Sequence, residues 1–311
     1  MRAVTVGRSG AEPELVQLPK PEPGEGEVVV KVEYAALNPG DWQAADGPAP
    51  ATAFPLVLGT DFAGRVDVVG PGENRFRVGD AVFGLTLRPD GCAGSYAEYT
   101  VVHQDGPVAL VPAGLDPRTA AALPTAGTAA AQLLAVTGLR RGQGLLVVGA
   151  AGGVGSCLTQ LAAARGIRVV ALVRGDERRR MALLGAAGAV DATAGDAAGA
   201  VRAVCPEGAD AVADLVSGDP VGFARHAAHA RAGGLAVAAR PGADPAALTG
   251  PVEGVAFRLH PSVRLLEALA AAAAEGGLRT PLDAELPLEK APGALAQNRA
   301  GGARGKTVFA V

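Results

Sequence analysis

Apolar and polar positions change rhythm twice along the chain. Through residue 115 the apolar runs are short and irregular: residues 27–37 (EVVVKVEYAAL), 64–70 (GRVDVVG), 80–85 (DAVFGL) and 95–102 (SYAEYTVV). Gly and Pro punctuate them, which predicts short strands between turns. Pro19, Pro21 and Pro23 mark an extended loop. The prolines within residues 47–55 predict another, because proline donates nothing to a ladder. From Pro117 the texture differs. The buried run 145–148 (LLVV) leads into a glycine cluster, then into a helix-period stripe of Val154, Leu158, Leu161 and Ala162. Residues 168–173 (RVVALV) read as a second buried strand, with weaker strands at 189–190, 209–212 and 235–239. Near-continuous apolar strands alternating with helices predict a parallel sheet covered on both faces. Past residue 255 the pattern changes again. Pro261 and Ser262 open a helix with Val263, Leu266, Leu269 and Ala270 on its apolar face, and residues 306–311 form a terminal strand.

Composition narrows the classes. The chain has 311 residues, room for two domains with a core each. Its 49% hydrophobic and 19% charged residues suit a globular protein. A net charge of -3 offers no field for nucleic acid, and 4% aromatics are too few for base-stacking platforms. The first residues (MRAVTVGRSGAEPE) lack the apolar core of a signal peptide. No run of about 18 apolar residues exists to cross a membrane. Cys92, Cys157 and Cys205 are far apart, which predicts a reducing cytoplasm and no disulfide framework.

The sharpest signal is the turn Gly149-Ala150-Ala151-Gly152-Gly153-Val154-Gly155, between a buried strand and an amphipathic helix. That is the context a dinucleotide turn requires, although its G-x-x-G-x-x-G spacing is one residue longer than usual. Glycines allow the tight turn and let a pyrophosphate approach the helix N-terminus, where free N–H groups favour anions. An acid about 20 positions on would bind the ribose 2′-hydroxyl of NAD. Here Arg174 stands 19 positions past Gly155, with Arg178, Arg179 and Arg180 close behind. Cations suit the 2′-phosphate of NADPH. A solvated arginine face is the plainer reading, and Asp176 or Glu177 could instead meet the ribose.

Several motifs occur in a fixed order: residues 36–42 (ALNPGDW), 58–66 (LGTDFAGRV), 78–84 (VGDAVFG), 94–99 (GSYAEY), the turn at 149–155, and 301–306 (GGARGK). Together they resemble the quinone oxidoreductase branch of the medium-chain dehydrogenase/reductase superfamily, across nearly the whole chain. The resemblance implies an α/β fold: a GroES-like irregular β-barrel catalytic domain (residues 1–115 and 256–311) and an inserted Rossmann domain with a doubly wound parallel sheet (116–255). The substrate cleft would lie between them. Zinc-dependent relatives carry Gly-His-Glu where this chain has Gly59-Thr60-Asp61, and a cysteine ligand where it has Asn38 to Asp41. A structural zinc lobe needs four clustered thiolates, which three scattered cysteines cannot supply. No metal is expected.

By resemblance, Asn38 and Asp41 lie on the cleft floor near the nicotinamide, Thr128 places a hydroxyl close to the ring, and Lys306 joins the cofactor site. Trp42, Phe257 and Arg258 are expected to line the substrate cleft, with His260 at its mouth. The bland alternatives are a turn residue before Pro39 for Asn38 and a helix cap for Asp41. Tyr96 and Glu98 are expected to brace the β-domain. The leading expectation is an NADPH-dependent reductase of a quinone or of the activated C=C bond of an enone, acting on a small carbonyl compound. A biosynthetic (polyketide-type) trans-acting enoyl reductase and a non-catalytic NADPH-binding sensor are the alternatives. The apolar strand 235–239, taken by resemblance as the Rossmann sheet's edge, predicts a homodimer.

Overall fold

The computed structural model describes residues 1–47, 54–86, 94–193 and 196–311. Most of the predicted loop at 47–55, and Cys92, lie outside the described residues. The chain divides into two compact units, Met1–Thr125 with Pro261–Val311, and Ala126–His260.

In the first unit the strands are β1 (Arg2–Val6), β2 (Glu14–Gln17), β3 (Glu27–Ala36), β4 (Leu56–Val57), β5 (Asp61–Val69), β6 (Ala81–Leu85), β7 (Tyr99–His103) and β8 (Val108–Leu110); β3, β5, β6 and β7 fall on the apolar runs read from the sequence, and the other four are additional. A short helix, α1 (Pro39–Asp46), leaves the end of β3. β1 pairs antiparallel with β2 and β4. The long β3 pairs antiparallel with both β5 and β7. Its alternating inward residues, Val28, Val30 and Val32, meet Phe62, Val66, Val82 and Tyr96 in one core. A second helix, α2 (Pro117–Ala122), packs on β3 and β5, so the first unit extends past residue 115 to Thr125.

A long helix, α3 (Pro124–Thr137), runs into the second unit. There the strands are β9 (Gly144–Val148), β10 (Arg168–Val173), β11 (Gly188–Asp191), β12 (Ala209–Asp214), β13 (Ala230–Ala238) and β14 (Glu253–Ala256). They form one parallel sheet in the order β11-β10-β9-β12-β13-β14. This is the doubly wound arrangement, in which ligands bind beyond the carboxyl ends of the strands where the order reverses. Helices α4 (Gly153–Ala164), α5 (Arg178–Leu183), α6 (Ala197–Val204) and α7 (Pro220–Ala227) cover it. One expectation is corrected. The strand read at 235–239 is not the sheet's edge, because β14 pairs along its outer side. β14 has four residues, one of them Gly and one Glu, and no apolar alternation to announce it. Its backbone pairing, rather than its side chains, makes it a strand.

The chain then returns to the first unit. α8 (Val263–Ala274) begins where read, with the Ser262 hydroxyl accepting from the Leu265 N–H and with Leu266, Leu269 and Ala270 buried. β15 (Leu282–Pro287) and α9 (Ala291–Ala300) lead to β16 (Lys306–Ala310), which pairs antiparallel with β3. The last strand therefore lies beside the end of β3 that launches α1.

Candidate active site

At the end of β3 the chain reaches Asn38, the N-cap of α1, followed by Pro39 at the first helical position. Asp41 sits one turn in and accepts the Asn38 backbone N–H on Oδ2 at 2.8 Å. The same oxygen accepts from the Tyr96 hydroxyl at 2.6 Å, and Oδ1 accepts from the Thr60 hydroxyl at 2.9 Å. Burial pushes the Asp41 carboxyl up to about 6, against the pull of those three donors. Asp41, at the third position of α1, thus closes a capping box on the N-cap residue Asn38. Both its oxygens are committed to protein donors, and it fixes the backbone of Asn38 from below.

The Asn38 side chain faces a different partner. The ammonium of Lys306, at the start of β16, donates to Asn38 Oδ1 at 2.5 Å and to the Leu37 carbonyl at 2.7 Å. Asp61 Oδ2 lies 3.5 Å from the same nitrogen. Asp61 is itself held by the Thr125 hydroxyl at 2.5 Å and the Thr125 N–H at 3.2 Å. Asn38 Nδ2 is buried and has no hydrogen-bond partner among the described residues. An unsatisfied donor in such a place costs free energy on the order of 1–3 kcal/mol, so a ligand that accepts from it relieves a real penalty.

Five separated segments therefore converge: residues 37–41, 60–61, Tyr96, Thr125 and Lys306. Lys306 was expected to join the cofactor site. In the structure its ammonium meets Leu37, Asn38 and Asp61, because β16 pairs with β3 and brings it there. Trp42, expected in the cleft, donates from its indole to Asn298 of α9 at 3.2 Å. Tyr96 and Glu98 do brace the sheet: Tyr96 packs edge-on against Phe309, and Glu98 accepts the Arg2 N–H and guanidinium. Sequence reading missed the Lys306–Asn38 contact and the Asp61–Thr125 pair. Only the unusual burial of a lysine could have signalled the first, and burial is not visible in sequence.

In the second unit the glycine turn follows the fully buried β9. The N–H groups of Gly149 and Ala150 are tied to the Leu172 carbonyl of β10. Gly149 adopts φ +83°, a conformation that side-chain-bearing residues avoid, and a Cβ there would meet Val216 at 2.5 Å. A Cβ on Gly155 would stand 2.5 Å from the Gly149 carbonyl oxygen and 2.6 Å from Ala150 Cα, so helix and turn touch there. α4 begins on a glycine N-cap, Gly152, with no side chain to cap it. Its first N–H groups, around Gly153 and Val154, are open to an anion, and Gly152 has only the Gly149 oxygen near its missing Cβ, at 3.6 Å. The turn fits a pyrophosphate.

Past β10, the acids and arginines sort themselves. Arg178 grips Asp176 through two bonds of 2.9 and 2.8 Å, holding that carboxyl down to about 2. Arg180 pairs with the buried Glu177 at 2.8 Å and donates to the Ala151 carbonyl of the turn at 2.7 Å. Arg178, expected at the cofactor, thus has an acid as its partner. Arg174 is exposed and has no ion pair or hydrogen bond among the described residues. Thr128 belongs to this unit and is fully buried, with Oγ1 unpartnered. Phe257, half-buried, and Arg258, exposed, follow β14 here rather than in the first unit. The His260 backbone is clamped by the Gln132 amide.

Comparisons with known proteins agree with this architecture. The alcohol dehydrogenase GroES-like domain profile matches residues 24–113, and the zinc-binding dehydrogenase profile matches residues 184–309. The chain is 31% identical to the chloroplast envelope quinone oxidoreductase homolog of Arabidopsis thaliana, over 97% of this chain and 95% of that one. It is 42% identical to the 2-methylene-furan-3-one reductase of Solanum lycopersicum over 46% of this chain and 38% of the other. A solved mycobacterial protein complexed with NADPH superposes with a TM-score of 0.85 at 28% identity, covering 100% of both chains. The second profile's description names zinc, and the Asn38 cluster does not fit it. Its cation is Lys306, and its carboxylates are already met by protein donors. Among the described residues no group of three or more His, Cys, Asp or Glu could hold a metal ion. Nor is any described helix long and apolar enough to cross a membrane.

Proposed function

The chain belongs to the quinone oxidoreductase branch of the medium-chain dehydrogenase/reductase superfamily of NAD(P)-dependent oxidoreductases, and we propose that it takes hydride from NADPH to reduce a small conjugated carbonyl compound, a quinone or an enone, without a metal. The observation that carries the reading is the buried, unpartnered Nδ2 of Asn38. Both substrate classes contain C=C–C=O, and adding hydride to the far carbon drives charge onto the carbonyl oxygen. A preorganised donor in a water-poor site stabilises that charge. Asn38 Nδ2 is such a donor. The nicotinamide, when bound, supplies the hydride.

The cofactor preference rests on charge. In residues 174–180 the two acids are paired with Arg178 and Arg180, which leaves Arg174 and Arg179 as cations for a 2′-phosphate. Gly152, Gly153 and Val154 would hold the pyrophosphate. No side chain is assigned as proton donor. Asp41 is committed to Tyr96, Thr60 and Asn38, so solvent protonates the enolate. β14 leaves an open backbone edge among the described strands, and pairing it with a second copy would make a homodimer. Light scattering at micromolar concentration should give twice the chain mass; a monomer removes that element.

The test of function is NADPH oxidation followed at 340 nm with a quinone panel and an enone panel. Turnover of either class is the expected result. Inertness to both, with NADPH still bound, would favour a sensor or a carrier-bound substrate instead.

A further inference from the structure

Lysine has three N–H donors and no acceptor. An ammonium 2.5 Å from one end of the Asn38 amide therefore dictates which end it is: the atom facing Lys306 is the carbonyl oxygen. The amide nitrogen must then point the other way, and it is the atom left buried without a partner. We propose that Lys306 is a positioning residue for the reductase reaction, locking the Asn38 amide so that it presents a donor, not an acceptor, to the substrate's oxygen. This rests on the functional reading above and adds the device that makes Asn38 a one-way donor.

The need for such a device is electrostatic. An asparagine amide rotated by half a turn presents Oδ1 where Nδ2 was, and an oxygen there would repel the developing enolate. The backbone of Asn38 is fixed already, through its N–H to Asp41. Only the amide rotation remains to be set, and Lys306 sets it. The lysine is itself placed by features that no ordinary strand needs. Its N–H donates to the Pro281 carbonyl at 2.8 Å. Gly305 precedes it with φ +148°, and a Cβ at Gly305 would meet the Pro281 oxygen at 2.4 Å. Leu37 O and Asp61 complete the seat: one accepts a second hydrogen bond from the ammonium, and the other supplies the counter-charge that a cation 4% exposed requires. The ammonium also polarises the amide it touches, which strengthens Nδ2 as a donor.

The test is a double-mutant cycle of Asn38→Ala and Lys306→Met, with kcat, KM and NADPH affinity measured for each form. Lys306→Met should lower kcat by at least about tenfold and at most by the roughly 10²–10³-fold of a lost oxyanion donor, while NADPH affinity holds. The double mutant should be no slower than Asn38→Ala alone, because the lysine acts only through that amide. Unchanged kcat in Lys306→Met, or losses that multiply in the double mutant, would overturn the proposal. Should Lys306→Met fail to fold because Asp61 is left as a buried unpaired charge, Asp61→Asn/Lys306→Met removes both charges and is judged by the same readouts.

A second measurement does not depend on turnover. The chain has three asparagines, Asn38, Asn74 and Asn298, so ¹⁵N-asparagine labelling gives three side-chain amide signals. The one missing from Asn38→Ala should move in Lys306→Met. If it stays in place, Lys306 does not hold the amide, whatever the substrate is. A wild type inert to quinones and enones would end the functional reading separately.

Discussion

The glycine turn and the Asn38 cluster solve the same problem in opposite ways. Each must leave hydrogen-bond donors unsatisfied inside a folded protein and aim them at a ligand. The turn does it with seven consecutive residues. Its donors belong to the backbone, and its glycines keep side chains away where Gly155 touches the Gly149 oxygen. The Asn38 cluster does it with one side-chain amide, and needs Asp41, Tyr96, Thr60, Lys306 and Asp61 from across the first unit to hold that amide still. Backbone donors are oriented by the secondary structure they belong to. A side-chain donor is oriented only by its neighbours, so the second site carries more supporting residues per donor.

That contrast predicts where damage shows. Changes at the Asn38 cluster should appear in kcat, and changes beside the turn in cofactor affinity. The largest effect is expected at Asn38. Asn38→Ala should cost about 2.7–4 kcal/mol of transition-state stabilisation, or about 10²–10³ in kcat, with NADPH affinity unchanged. Steady-state kinetics alongside a fluorescence titration of NADPH separates the two; a full-rate variant would move the oxyanion donor elsewhere. Next is Arg174. A charge-assisted bond is worth about 1.5–3 kcal/mol, so Arg174→Asp should weaken NADPH binding by roughly 10- to 150-fold and leave NADH and kcat nearly unchanged. Equal losses for both cofactors would mean that Arg174 shapes the turn and does not read the phosphate.

The smallest effect sharpens the comparison by asking whether the support is real. Tyr96→Phe removes one donor to Asp41, so at pH 8, with Asp41 ionised, it should destabilise the protein by about 1.5–3 kcal/mol. At pH 5 the carboxyl, which titrates at about 6 in the folded state, is mostly neutral. The loss should then shrink to about 0.5–1.5 kcal/mol. The wild type's own pH dependence runs the other way. Asp41 keeps its proton to higher pH folded than unfolded, so its contribution is full below about pH 4 and falls away as pH rises through 6. Urea melts at the two pH values decide it, and a Tyr96→Phe cost independent of pH would mean the hydroxyl does not serve the carboxylate.

The sequence by itself determined the parallel sheet, the turn at 149–155 and the helix opened by Ser262. Each is written in contiguous residues whose periodicity or turn chemistry is local. It also placed Asn38 and Lys306 on the site list, without showing that the two side chains meet. Other features were decided only by the tertiary structure. β14 is a strand because β13 offers it a backbone edge, not because Glu253-Gly-Val-Ala has strand character. Arg178 and Arg174 look alike in sequence, yet only the fold gives Asp176 to the first and leaves the second without an acid. Lys306 meets Asn38 across 268 residues of chain because β16 lies antiparallel to β3. Spacing along a sequence reports which residues share a turn of helix or a face of strand. It carries no record of which distant side chains a sheet will set against each other, and the direction of the Asn38 amide depends on such a meeting.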